Sequence, residues 1–176
     1  MNPTDKICGI AIGFILLLCS CNSDVENKSA EAKNPEDIEV EKFEFVNSTD
    51  KNFPIKIAVL NKTISDSTPT INFNDASGKL EVASGNKFCY QISEQAVDIV
   101  KKKQEIESGI FKITYNTDLA DRIVYRAELP DGSNAFYHFV AVKKIQDKTY
   151  MFEDNASFQF TLADVNTMVE AIQKAY

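Results

Sequence analysis

The stretch Phe111–Asn155, FKITYNTDLADRIVYRAELPDGSNAFYHFVAVKKIQDKTYMFEDN, constrains this chain more than any other. Apolar residues recur at every second position, the period of a half-buried strand. In its first run Phe111, Ile113 and Tyr115 share a face, with Lys112 and Thr114 opposite. Asn116-Thr117-Asp118 offers side chains that bond their own backbone and favour a turn. The second run, Arg122–Leu129, sets Ile123, Tyr125, Ala127 and Leu129 against Val124, Arg126 and Glu128. Pro130-Asp131-Gly132-Ser133 then closes a hairpin, proline fixing φ at the first corner. The third run, Ala135–Ile145, is the longest and is apolar on both faces, which predicts a central strand covered on both sides. Gln146-Asp147-Lys148 turns the chain into Tyr150-Met151-Phe152. The expectation over 111–154 is a four-strand antiparallel meander.

Helical patterns flank it. Ser93 reads as an N-cap with Glu94 in the first turn, where a helix dipole favours negative charge. That helix is expected over about 93–107, with Ser108-Gly109 as its stop. Val97, Val100 and Gln104 line one side of it, Ile99 and Ile106 another. Lys101-Lys102-Lys103 reads as a solvated face. At the far end, Thr161 and Asp164 have the spacing of a capping box. Val165, Met168, Val169, Ile172 and Tyr176 then recur at helical spacing, predicting a helix over about 162–175. Upstream, Phe43 and Phe45 suggest an edge strand, and Ile55, Ile57 and Val59 alternate. Asn61–Pro69 is polar and reads as an exposed loop. Short strands are expected at 71–73, 80–83 and 87–92. The fold class is α+β: an antiparallel sheet packed with two helices.

The N-terminus is organised differently. After Lys6, the 13 residues from Ile7 to Cys19 are apolar. That length is short of the roughly 20 residues a membrane-spanning helix needs and suits the core of an export signal. Leu18-Cys19-Ser20-Cys21 follows and resembles a bacterial lipobox, with Cys19 standing where Ala, Ser or Thr is more usual. The resemblance implies cleavage of residues 1–20 and acylation of Cys21, a membrane anchor built from several acyl chains. Asn22 in the next position implies the outer membrane rather than the inner. Residues 22–41, NSDVENKSAEAKNPEDIEVE, contain too few apolar groups to order a backbone. A flexible chain of that length reaches about 25 Å. The expected organisation is therefore a signal peptide (1–20), a lipidated cysteine with an acidic tether (21–41), and one domain (42–176).

The whole chain carries a net charge of −7, and losing Lys6 and Asp5 with the signal leaves that unchanged. An acidic chain with scattered lysines argues against a nucleic-acid partner.

Chemistry-bearing patterns are scarce. His138 is the single histidine, and Cys89 has no companion at metal-ligand spacing, so no metal or cofactor is expected. If the signal leaves with Cys8 and Cys19, and Cys21 is acylated, Cys89 is the one thiol left. Brought together by the fold, Cys89 as nucleophile and His138 as base would make a catalytic pair. Phosphate-loop, nucleophile-elbow and calcium-loop patterns do not occur. Glu153 and Asp154 point to opposite faces of a strand and make a poor acid/base couple. Tyr115, Tyr125, Tyr137 and Tyr150 read as half-buried sheet residues with hydroxyls reaching water. Asp66-Ser67-Thr68 is similar to a short O-glycosylation sequon of Bacteroidetes envelope proteins, which makes Ser67 a candidate modification site.

The closing order of hairpin strands and a capped amphipathic helix resembles the Mog1/PsbP-type fold over about residues 79–176. The stretch FYHFVAVKK…DKTYMFED also resembles small Bacteroidetes lipoproteins. Neither resemblance brings catalytic residues. The lipobox-like address, the tether and the absence of catalytic patterns lead to the expectation of a lipid-anchored envelope protein, non-enzymatic, acting as a binding or adaptor module on an envelope protein partner. The Mog1/PsbP-type resemblance implies the same. Two alternatives stay open: a small-ligand carrier with an apolar pocket under the final helix, and an enzyme using Cys89 and His138.

Overall fold

The computed structural model describes residues 41–49, 53–65 and 67–176. The signal peptide, Cys21, nearly all of the tether and Asp66 lie outside the described residues. Nine strands and three helices follow in the order β1 (Phe43–Asn47), β2 (Lys56–Leu60), α1 (Lys62–Ser65), β3 (Thr70–Asn74), β4 (Lys79–Ala83), β5 (Cys89–Glu94), α2 (Ile99–Glu107), β6 (Lys112–Asp118), β7 (Arg122–Glu128), β8 (Ala135–Ile145), β9 (Lys148–Asp154) and α3 (Leu162–Ala175). The fold is α+β, as its patterning predicts.

Seven strands form one antiparallel sheet in the order β3-β4-β5-β9-β8-β7-β6. The meander β6–β9 occupies one half, with its second and third hairpins where the turn residues put them. Its last strand, not its third, is the middle of the sheet. β9 pairs β8 on one side and β5 on the other, because the β3–β5 meander adds to the free edge of β9. Asn116 does not turn the chain. It is the extra residue of a bulge, and β6 runs on to Asp118 before the turn.

β1 and β2 do not join the large sheet. They pair with each other alone, Phe43 opposite Leu60 and Asn47 opposite Lys56. Ile57, Ala58, Val59 and Leu60 are buried in succession, so β2 is covered on both faces rather than one. The loop expected over 61–69 contains the single turn of α1, and Asn61 caps it by accepting from the Thr63 N–H at 2.9 Å.

The sheet has an apolar layer on each face. One layer unites Leu80, Val82, Tyr90, Ile92, Phe139, Tyr150 and Phe152 with β2 and with Val165, Met168 and Ile172 of α3. The Thr161–Asp164 capping box is formed in full and holds the first turn of α3. The other layer is smaller: Ile123, Val140 and Met151 beneath Ile99, with Val97, Ile106, Tyr115 and Tyr125 packed around them.

That smaller layer corrects the first predicted helix. Ser93 and Glu94 are the end of β5, paired with Met151 and Tyr150, and Lys148 holds Glu94 at 2.8 Å. The helix starts six residues later, where the Asp98 carboxylate accepts from the Val100 N–H at 2.8 Å. Ile99 faces the sheet while Val100 is 63 % exposed, so the Val100–Gln104 side looks outward. Ser108 ends the helix, as predicted. Tyr150 departs from its expected place as well: it is fully buried against Phe53, ring centroids 6.1 Å apart.

Candidate functional site

The chemistry within the described residues gathers where the β8–β9 ladder ends. Pairing runs from Ile145 opposite Lys148 to Val140 opposite Glu153. One step further, Phe139 and Asp154 face each other without a backbone bond. The Asp154 side chain fills the gap and accepts the Phe139 N–H at 2.8 Å. Its second oxygen lies 2.7 Å from His138 Nδ1. Asp154 is buried and Phe139 fully so, so this carboxylate satisfies a donor that would otherwise be stranded.

An ionised carboxylate only accepts, so against one Nδ1 is the donor of this contact; in that neutral tautomer Nε2 is the acceptor. Tyr125 packs on the imidazole, ring centroids 5.3 Å apart, and Tyr115 packs on Tyr125 at 6.2 Å. Burial raises the Tyr125 phenol well above its ordinary value, and the charges of Asp154 and Glu153 push the same way. Tyr115 donates to Glu107 of α2 at 3.0 Å.

His138, Asp154, Phe139 and Tyr125 border a groove of about 320 Å³ between α2 and the sheet. Ile106, Phe111, Ile113 and Phe136 give it apolar walls, and His138 with Asp154 and Lys102 give it polar points. Phe111 is 38 % exposed and Ile110 74 %, so the mouth carries an apolar lip. Glu153 also borders the groove, but Lys79 holds it at 2.7 Å.

The fold does not bring Cys89 and His138 together. β9 lies between β5 and β8, which sets the two strands about 10 Å apart. Nδ1 is already engaged by Asp154, and no hydrogen bond among the described residues joins the thiol to the ring. Cys89 is buried, and burial followed by the charge of Glu81 raises its thiol pKa. Of the four tyrosines, Tyr115 and Tyr125 meet on the α2 face; Tyr137 and Tyr150 belong to the opposite layer. Ser67 is half-buried, its carbonyl accepting from the Ser65 hydroxyl at 2.8 Å. Among the described residues there is no group of three or more His, Cys, Asp or Glu that could hold a metal ion.

Asp154 is the partner that sequence reasoning missed. Its signal was present in the short β8–β9 turn: counting back from Ile145 opposite Lys148 places Asp154 opposite Phe139 and beside His138.

No protein-family model matches this chain, and no curated protein or solved structure matches it.

Proposed function

We propose that this chain is a lipid-anchored protein of the bacterial cell envelope whose domain is a binding or adaptor module without catalytic chemistry of its own. The lipobox-like Leu18-Cys19-Ser20-Cys21 supports acylation at Cys21, and Asn22 supports retention at the outer membrane, facing the periplasm or the cell surface. No helix among the described residues is long and apolar enough to cross a membrane. The anchor in this reading is the acyl group on Cys21.

The observation that carries the binding role is the Asp154-held imidazole in an apolar groove. A rigid acceptor set among Ile113, Phe111 and Phe136 suits an envelope protein segment that presents one apolar side chain beside an N–H or hydroxyl donor. The groove opens to solvent, which favours an inserted side chain over an enclosed cargo. In the layer under α3, where the alternative carrier reading needs an enclosed apolar pocket, Val165, Met168 and Ile172 are packed and buried.

The test is crosslinking in cells followed by mass spectrometry, comparing the wild type with Ile113→Glu and His138→Ala. One envelope protein recovered with the wild type and lost with both variants supports the adaptor. Recovery that both variants leave unchanged removes the groove from the reading. The anchor is tested separately: Cys21→Ala should abolish palmitate labelling and release the protein from membranes, and persistence of both would remove the lipid from it.

A further inference from the structure

A second cleft, of about 430 Å³, opens on the α3 side of the sheet. Leu60 at the end of β2, Ile64 of α1, the turn between β4 and β5, and Thr167 of α3 enclose it. In its wall stands Ser84, 2 % exposed. The Ser84 N–H donates to the Phe88 carbonyl at 2.8 Å, but its hydroxyl has no partner. It is the sole such buried side-chain atom among the described residues. An unpaired buried hydroxyl is destabilising, and alanine would fill the same position without that penalty. The cleft is also many times the share of liquid volume that one water occupies, roughly 30 Å³.

The charges around it point to what would complete the hydroxyl. Lys42 and Lys87 line the cleft with one carboxylate, Asp164. Asp164 is engaged at its own helix start, its Oδ2 accepting the Thr161 N–H at 2.9 Å and the Thr161 hydroxyl at 2.6 Å. Lys42 is held by Glu170 at 2.6 Å, and Lys174 holds the other oxygen of Glu170 at 3.1 Å. Lys87 makes no ion pair among the described residues and follows Asn86 directly. In a chain of net charge −7 this corner therefore offers donors: the Ser84 hydroxyl, the Asn86 amide and the Lys87 ammonium. Beside them Leu60 and the half-exposed Ile64 give an apolar wall. The turn can present its donors together because Gly85 adopts φ +73°, a left-handed conformation that other residues resist.

We propose that this cleft binds a small molecule with an oxyanion head, carboxylate or phosphate, and a short apolar body. The head takes the Ser84 hydroxyl and Lys87, and the body lies along Leu60 and Ile64. The site is on the opposite face from the His138 groove, so either can fail without the other.

The test is a titration of the full-length chain, in detergent, with hexanoate, hexyl phosphate and hexanol, read by amide chemical shifts in NMR spectra. Saturable shifts over Ser84–Lys87 are expected with at least one of the two acids and not with hexanol. Ser84→Ala and Lys87→Gln should each weaken that binding by about tenfold. Ligand-free Ser84→Ala should melt no lower than the wild type, since it removes an unpaired group. No saturable shift with either acid overturns the proposal. So does Ser84→Ala binding as tightly as wild type, or Ser84→Ala melting lower, which would give the hydroxyl a structural task.

Discussion

Asp154 joins two strands and one side chain at a single carboxylate: Phe139 donates its backbone N–H to one oxygen at 2.8 Å, and His138 Nδ1 approaches the other at 2.7 Å. Sheet closure and imidazole orientation therefore depend on the same residue. Asp154→Ala leaves a fully buried N–H unpaired and should cost about 2–4 kcal/mol. Asp154→Asn keeps an acceptor for Phe139 and should cost about 1 kcal/mol, while its amide donor reverses the imidazole tautomer. Urea denaturation measures the first effect and imidazole nitrogen shifts the second. Equal costs for the two substitutions would refute the shared role.

Alkali should unfold the protein through its tyrosines. Burial pushes Tyr176 up to about 12. Tyr90 and Tyr125 are displaced upward too, again by burial first. A group raised in the folded state contributes stability that is complete below its unfolded value and lost as pH rises through the folded one. Stability should hold to about pH 10 and then fall towards 12. Phenolate absorbance and circular dichroism should change together; phenols that ionise near pH 10 with the fold intact would contradict this.

Cys89 should be a slow thiol. It is buried, with its pKa raised by burial and then by Glu81. Alkylation by iodoacetamide, followed on the Cys89 peptide by mass spectrometry, should run at least about tenfold slower than for an unperturbed cysteine. Unfolding in urea should abolish the difference. Fast alkylation of the native protein would revive the enzyme reading.

The start of α3 should matter beyond its exposure. Thr161→Ala removes the acceptor of the Asp164 N–H and the hydroxyl's own bond to the Asp164 carboxylate, and should cost about 1 kcal/mol. Met168→Ala, beneath the same helix, should cost about 2–4 kcal/mol, since Met168 is wholly buried and its sulfur accepts the Cys89 N–H at 3.3 Å. Denaturant midpoints check both, and a Thr161→Ala midpoint equal to wild type would deny the cap its role.

Much of this was legible because it is local. The period-two runs from Phe111 to Phe152 and the Thr161–Asp164 spacing name their elements without help from distant residues. Ser93 misleads for the opposite reason. Its capping chemistry is sound, yet β9 offers Ser93 and Glu94 a ladder with Met151 and Tyr150, and Asp98 supplies a second cap a few residues on. Phe43 and Phe45 look like an edge of the main sheet, but Ile57–Leu60 bury both faces of their partner and hold the pair apart. The His138–Asp154 contact depends on hairpin register, which a residue-by-residue pattern does not display.

The middle strand of the sheet is also the last one synthesised. In the finished sheet β9 alone joins β3–β5 to β6–β8, so a nascent chain that has emerged only as far as Ile145 lacks the strand that both sets of three share. Assembly therefore resembles closing a zip from its final tooth: seven residues, Lys148–Asp154, decide whether two meanders become one sheet or meet the rims of neighbouring chains.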